Sequence, residues 1–260
     1  MLVLVVRPRA IERTRTHHAE ERLLAALLVA HDDRVALRRA EGALLPPSGR
    51  PYTAPVGFYE AQVLPRVIDK VLGNDAMAEV RRPSLQGLHG VVLEIGFGSG
   101  PNVPLYPDAV TKVLAVDPAV VGRRLAERRI RESPIPVEFV GLDGSSLPID
   151  DASVDCALST WTLCTIPDVE VALAEVRRVL PPGGQLFFLE HGLATDPRIA
   201  ARQRRFTPIQ RKIAGGCHLD RDIGALVAEA GFDLDRLKTF TISGPKTMSF
   251  LYTGVATKPA

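Results

Sequence analysis

A glycine-rich segment after the first apolar run is the strongest chemical signal in the sequence. Residues 91–95 are mostly apolar, and Gly96, Gly98 and Gly100 follow with the spacing G-x-G-x-G. Glycines at such a place let the backbone turn sharply and approach a ligand closely. Glu94 lies two positions before the first glycine, and its carboxylate would repel a pyrophosphate and attract a sulfonium or an ammonium. The segment therefore favours an amino-acid nucleoside over a dinucleotide.

Three further positions follow later apolar runs. Asp117 ends the second run, where a carboxylate can accept hydrogen bonds from both hydroxyls of a ribose; a helix N-cap is the alternative. Asp143 and Gly144 follow the third run, and Asp143 is placed to accept a hydrogen bond from an adenine amino group, with a turn-forming aspartate as the alternative. Thr160, at the end of the fourth run, would form the floor of the same pocket.

Two histidines are predicted proton acceptors. His191 follows Glu190 at the end of the fifth apolar run, and His218 lies in a glycine-containing turn before a helix. Imidazole is the usual general base near neutral pH, although a hydrogen-bonded structural role is the alternative for each. Cys217 could line the pocket of a second substrate.

The three cysteines, Cys156, Cys164 and Cys217, have neither C-x-x-C nor zinc-ligand spacing. The sequence thus predicts reduced thiols in a cytoplasm and no metal site.

These residues are carried by alternating strands and helices. Strands are expected at 91–95, 112–116, 137–140, 154–159, 185–189, 237–242 and 248–255, and helices at 119–132, 168–180 and 221–230, with a further helix from Phe58 to Leu72. Apolar strands that alternate with helices indicate an α/β fold with a parallel sheet covered on both faces. The close pair of strands at the end indicates one antiparallel strand.

Residues 1–50 differ from the rest of the chain. They hold nine Arg against six Asp and Glu, whereas the whole chain carries a net charge of only +2. We expect a weakly ordered basic extension over 1–50, with a helix resting on a membrane surface as the alternative, followed by one domain over 51–260. The nearly neutral main body lacks the basic face of a nucleic-acid-binding protein, and no segment reaches the ~18 apolar residues that a membrane span needs.

Two segments are predicted to border the pocket. Phe58 and Tyr59, on the leading helix, would close over the ligand, with packing as the alternative. A basic insertion at 197–214 would form a lid over the cleft, or else an ordinary solvated helix face. A basic lid would admit an apolar or anionic substrate.

The residues at 94–100, Asp117, Asp143 and the sequence Pro-Pro-Gly-Gly at 181–184 together resemble the successive motifs of class I S-adenosylmethionine-dependent methyltransferases. Segments around Gly57, residues 163–168, residues 188–191 and residues 216–219 further resemble the methyltransferase-like 7 group of thiol S-methyltransferases and its bacterial relatives. The resemblance implies S-adenosylmethionine as cofactor and a seven-stranded sheet ordered 3-2-1-4-5-7-6, with a Rossmann-like fold. It also implies that Glu94 and the three glycines hold the methionine part, Asp117 the ribose and Asp143 the adenine.

The expected function is methyl transfer from S-adenosylmethionine to a small-molecule acceptor, a thiol or another hydrophobic molecule. A phospholipid or a quinone is the alternative acceptor. Two other classes stay open: an NAD(P)-dependent oxidoreductase, disfavoured by the glycine spacing and Glu94, and a cofactor-binding protein without catalysis. The acceptor's identity and the oligomeric state do not follow from the sequence.

Overall fold

The structure of the chain is a computed structural model, and it describes residues 57–141, 144 and 146–260. The predicted extension over residues 1–50 lies outside the described residues, as does Asp143. No helix in the described part of the chain is long and apolar enough to cross a membrane.

Seven strands form one sheet in the order β3-β2-β1-β4-β5-β7-β6. All neighbouring strands run parallel except β7, which is antiparallel to both β5 and β6. The strands are β1 (Gly90–Ile95), β2 (Val110–Val116), β3 (Val137–Gly141), β4 (Cys156–Thr160), β5 (Gln185–His191), β6 (Asp233–Thr241) and β7 (Phe250–Thr257). The predicted fold class and strand order are confirmed.

Helices connect the strands. They are α1 (Leu64–Leu72), α2 (Asp75–Arg81), α3 (Val120–Glu132), α4 (Val169–Val179), α5 (Pro197–Ile213) and α6 (Ile223–Glu229). A short π-helical turn, Tyr59–Val63, leads into α1. The short helix α2 was not expected from the sequence; Asn74 begins it by accepting a hydrogen bond from the N–H of Met77, which is ordinary N-cap chemistry.

The strands are apolar because the sheet is covered on both faces. Leu93 and Ile95 of β1 pack in one buried cluster, whereas Val92, the residue before Leu93, packs in another. This alternation is what a pleated strand with two covered faces requires. All five residues of β4 are buried, so β1 and β4 form the sheet's centre.

The strand order reverses between β1 and β4, because the chain adds β2 and β3 on one side and β4 and β5 on the other. In open α/β sheets, a ligand lies at the carboxyl ends of the strands beside such a reversal. The turns after β1 and β4 are therefore the expected location of the site. They touch: a Cβ atom at Gly96 would lie 1.8 Å from the Thr162 hydroxyl oxygen.

This contact predicts that Gly96→Ala strongly destabilises the protein. The φ of Gly96 is +72°, which costs an L-residue about 1–2 kcal/mol, and the clash with Thr162 adds about 1–3 kcal/mol. The matched control is Gly183→Ala, since Gly183 has a φ of +80° but no atom within 4 Å of the added Cβ. Urea unfolding should show a loss of about 1 kcal/mol for the control and clearly more for Gly96→Ala. Equal losses would contradict the packing of the two turns.

Candidate active site

The glycine-rich turn after β1 offers an open backbone surface. Gly98 has a φ of +57°, and a Cβ atom there would have only the Gly96 carbonyl oxygen within 4 Å, at 3.9 Å. The turn is tied to β2 by a hydrogen bond of 2.8 Å from the N–H of Gly96 to the carbonyl of Val116. Gly100 has a φ of +69° and packs against Phe97 instead. A ligand can thus lie directly on the backbone at Gly98.

Asp117 follows β2 and fixes this turn. Its Oδ2 accepts a hydrogen bond from the N–H of Gly98 and its Oδ1 one from the N–H of Ala119, both of 2.7 Å. Burial raises the pKa of Asp117, while these two hydrogen bonds and the charge of Arg123 act in the opposite direction. Ala119 occupies the N-cap position of α3, so Asp117 fixes the residue before the helix. Each carboxylate oxygen keeps a lone pair that a ribose hydroxyl could reach.

Glu94 is buried behind the turn and is engaged by other side chains. Its Oε1 accepts a hydrogen bond of 2.9 Å from the Asn102 amide, and its Oε2 accepts one from the Tyr106 hydroxyl. The same amide donates to the Thr160 hydroxyl oxygen at 3.0 Å. Two predicted site residues, Glu94 and Thr160, are therefore joined through Asn102. The predicted role of Glu94 in holding an amino-acid group stays a prediction.

Three buried polar atoms on residues around Glu94 lack a hydrogen-bond partner within the described ranges. They are Arg81 Nε, Asn102 Oδ1 and Trp161 Nε1. The Arg81 guanidinium lies 4.5 Å from the centroid of the Trp161 ring, and its charge opposes the rise in the pKa of Glu94 that burial causes. Trp161 has a φ of +51°, a strained conformation that clusters at functional sites.

These observations test whether S-adenosylmethionine suits the site. Open donors on Arg81 and Trp161 suit a carboxylate, and the open Asn102 oxygen suits an ammonium. Gly98 leaves space for the ligand, and Asp117 presents acceptors for a ribose. The residues present therefore fit an amino-acid nucleoside.

The loop after β4 is held by the buried carboxylate of Glu190 at the end of β5. Glu190 Oε1 accepts hydrogen bonds from the Ser159 hydroxyl at 2.6 Å and from the N–H of Thr162 at 3.0 Å. Its Oε2 accepts one from the N–H of Cys164 at 3.3 Å. Burial raises the pKa of Glu190, and these hydrogen bonds oppose that shift. This carboxylate fixes the loop that faces the glycine-rich turn.

The two predicted bases lie beside this loop. His191 Nδ1 is 3.8 Å from the Cys217 sulfur, and the His191 ring meets Trp161 edge-on with centroids 6.2 Å apart. His218 Nδ1 lies 3.3 Å from the Cys164 carbonyl oxygen. Burial and two nearby arginines lower the pKa of His218, so its imidazole is neutral at pH 7 and able to accept a proton.

The two segments that were predicted to border the pocket are in contact with each other. The Tyr59 hydroxyl donates a hydrogen bond of 2.7 Å to the carbonyl of Ile213 at the end of α5, and Phe58 is largely exposed. Gln203 anchors α5 by accepting a hydrogen bond of 2.8 Å from the N–H of Ala194. The helix turns its basic side chains outward; the exposed ones are Arg198, Arg202, Arg204, Arg205, Arg211 and Lys212. Their role as a lid stays a prediction.

At the predicted adenine end of the site, Gly144 is half-buried, with Ala172 3.7 Å from a Cβ placed on it. Asp143 lies outside the described residues, and its role toward an adenine stays a prediction.

Sequence reasoning missed Arg81, Asn102 and Tyr106. Asn102 lies two residues beyond the last glycine of the turn, and a polar residue there is the one signal that could have pointed to it.

Comparison with known proteins gives consistent matches. Residues 93–188 match a family model described as a methyltransferase domain. The chain is 30% identical over 194 residues to the thiol S-methyltransferase TMT1A of Homo sapiens, which covers 67% of this chain and 75% of that protein. It is 33% identical over 150 residues to the thiol S-methyltransferase TMT1B of Rattus norvegicus, which covers 54% and 59% of the two chains.

The chain spans 59–63% of the length of the three TMT1B relatives that it matches. Among solved structures, an S-adenosylmethionine-dependent methyltransferase of Methanosarcina mazei superimposes with a TM-score of 0.53 at 22% identity. That match covers 69% of this chain and 97% of the other. At this level of identity it shows a similarity of fold alone.

The burial of Glu94 predicts a pH-dependent stability. Burial raises the pKa of this carboxyl from 4.5 to about 7, so the folded protein holds a proton that the unfolded chain has already lost. This contribution to stability is complete below pH ~4.5 and is lost as the pH rises through about 7. Relative to wild type, Glu94→Gln should gain up to about 3 kcal/mol of unfolding free energy across this range.

Urea unfolding between pH 4.5 and 8, without ligand, measures the difference. Glu229→Gln, at an exposed position, controls for the removal of one carboxyl. A Glu94→Gln difference that is constant with pH would contradict the raised pKa.

Proposed function

The chain belongs to the S-adenosylmethionine-dependent methyltransferases, and from this premise we propose that it transfers a methyl group from S-adenosylmethionine to a hydrophobic small-molecule thiol. The observation that carries the proposal is the Asp117 carboxylate, which lies against the open backbone of Gly98 at the strand-order reversal. The family relationship supports the cofactor. The names of the TMT1A and TMT1B relatives support a thiol as acceptor.

S-adenosylmethionine supplies a methyl group already activated by its sulfonium, so the protein's task is to bind, orient and exclude water. Asp117 would orient the ribose, and the Glu94–Asn102 pair with Arg81 would orient the amino-acid part. Thr160 and Trp161 would close the pocket on the β4 side.

A thiol acceptor has to lose one proton. A few per cent of a thiol is ionised at neutral pH, so modest help is enough. We assign this proton to His218, because the hydrogen bond of its Nδ1 with the Cys164 carbonyl leaves Nε2 as an acceptor. The Arg221 and Arg211 charges that lower the pKa of His218 would also help it to release the proton to solvent.

Phospholipids and quinones are the alternative acceptors. The exposed Phe206 and Ile209 of α5, interleaved with arginines, favour an amphiphilic acceptor with an anionic head group. A cofactor-binding protein without catalysis is the remaining alternative. Mass spectrometry of reaction products distinguishes it from a methyltransferase that acts on a thiol, a quinone or a phospholipid.

Asp117→Ala should weaken S-adenosylmethionine binding by about 10- to 100-fold for each ribose hydrogen bond that is lost. The variant removes up to two charge-assisted hydrogen bonds with the ribose, each worth about 1.5–3 kcal/mol, and it also frees the N–H of Gly98. Isothermal calorimetry of the purified full chain measures the affinity, with the exposed Asp108→Ala as control. NAD(P)H should not bind. Unchanged affinity in Asp117→Ala, or binding of NAD(P)H alone, would contradict the assigned site.

Mass spectrometry of reaction products should identify the acceptor class. Wild-type protein with S-adenosylmethionine and a panel of alkyl thiols, quinones and phospholipids is expected to give thioethers, at rates that rise with the thiol's alkyl length. His218→Gln should lower the rate most below the pKa of the thiol, where deprotonation limits it. Methylated quinone or phospholipid without thioether would replace the thiol proposal, and cofactor binding without any product would favour the binding protein.

A further inference from the structure

Three potential metal ligands converge beside the loop after β4. Cys164 lies in that loop, His191 ends β5, and Cys217 lies in the turn after α5. Their ligand atoms all lie within 4.8 Å of one another. The two sulfurs are 3.8 Å apart, and the Cys217 sulfur is also 3.8 Å from His191 Nδ1. Residues 26 and 53 positions apart in the chain thus form one cluster, which the linear spacing of the cysteines does not reveal.

These distances match a shared zinc ion. Tetrahedral zinc with Zn–S bonds of about 2.3 Å holds two thiolate sulfurs about 3.8 Å apart, and it holds a sulfur and an imidazole nitrogen about 3.6 Å apart. A disulfide would need the sulfurs at about 2.0 Å. The two separations of 3.8 Å are close to these values, and all three ligand atoms lie within 4.8 Å of one another, so small side-chain shifts would bring them around one ion.

The charges of the cluster also suit a divalent soft ion. Two thiolates and a neutral imidazole cancel the charge of Zn²⁺, so the site with its three protein ligands would be neutral before an acceptor binds. Binding of the ion would displace the protons of both thiols, because the thiolate is the form of cysteine that binds metal.

The backbone around the cluster is already fixed. Glu190 holds the N–H of Cys164, and the N–H of His218 donates a hydrogen bond of 2.7 Å to the Cys164 carbonyl. The turn packs tightly here: a Cβ atom at Gly216 would lie 2.8 Å from the Thr165 carbonyl oxygen. Such outer contacts orient metal ligands and reduce the cost of forming the site.

We propose that Cys164, His191 and Cys217 bind one zinc ion and leave its fourth coordination position to the sulfur of the methyl acceptor. The geometry of the cluster alone supports a site with three protein ligands. The role of the fourth position rests in addition on the proposed methylation of a thiol. The location supports this role, because Thr162, two residues before Cys164, contacts the glycine-rich turn at Gly96.

An acceptor thiol would exchange its S–H bond for an S–Zn bond and give its proton to His218, which passes it to solvent. The bound sulfur then forms a bond to the methyl carbon while the sulfonium's bond to that carbon breaks. S-adenosylhomocysteine is the leaving group, and the neutral thioether dissociates from zinc. Zinc-bound sulfur is a thiolate at neutral pH, so coordination removes the proton that methylation has to displace. The fourth position is open in the same way as in catalytic zinc sites with three protein ligands.

Metal analysis of the full chain tests the site. After equilibration with zinc and removal of excess metal, wild type should retain about one zinc per chain. Cys164→Ser, Cys217→Ser and His191→Gln should each lose most of it. The matched control is Cys156→Ser, since this buried cysteine also lies beside a histidine, 3.4 Å from His89 Nδ1, but outside the cluster. Wild type without zinc, or full zinc in both cluster cysteine variants, would overturn the proposal.

Cobalt substitution of wild type needs no variant and tests the ligands directly. Co²⁺ in the site should give a thiolate-to-cobalt charge-transfer band and the intense visible bands of a tetrahedral centre, and a small alkyl thiol should shift them. Absence of the charge-transfer band overturns the site, and a band that thiols leave unchanged overturns the role of the fourth position. One further result would overturn the metal site. In that result Cys164 and Cys217 are recovered as a disulfide, and the chain takes up no metal after the disulfide is reduced.

The two proposals fail separately. A chain that binds zinc but methylates no thiol retains the metal site and loses the proposed function. A zinc-free chain that methylates thiols at the wild-type rate retains the function and loses the metal's role.

Discussion

One buried carboxylate holds the site together. Glu190 accepts hydrogen bonds from Ser159, Thr162 and Cys164, so it fixes the end of β4 and the loop that follows. That loop supplies the side chain against Gly96 and one wall of the cysteine–histidine cluster. Replacing such a group with an apolar one would leave three donors without an acceptor in a dry interior, a cost well beyond that of the carboxylate's own burial.

Three carboxylates, Glu94, Asp117 and Glu190, lie at the carboxyl ends of adjacent or nearby strands, and burial raises the pKa of each. Aligned N–H and O–H donors oppose that rise, and so do the charges of Arg81 near Glu94 and of Arg123 near Asp117. The hydroxyl and ammonium groups of an amino-acid nucleoside are donors of the kind that such carboxyl oxygens accept.

Local patterns predicted the fold. The apolar runs indicated strands within a few residues of their observed bounds, and the family motifs implied the strand order, which no periodicity reveals. Asp117 and the glycines were singled out because they follow strands, and their roles toward the cofactor stay predictions. The Asn102 bridge and the Cys164–His191–Cys217 cluster escaped, because they depend on which strand ends and turns become neighbours in space. The burial of the Glu94 side chain also has no local signature, since the same sequence fits a buried or an exposed carboxylate.

The position of β7 bears on how the protein folds during synthesis. This last strand, Phe250–Thr257, pairs with β5 on one side and β6 on the other. Until β7 has left the ribosome, β5 has an unpaired apolar edge and β6 has no sheet partner. Such edges invite pairing between nascent chains. Synthesis of β7 therefore removes the two edges at which nascent chains would associate.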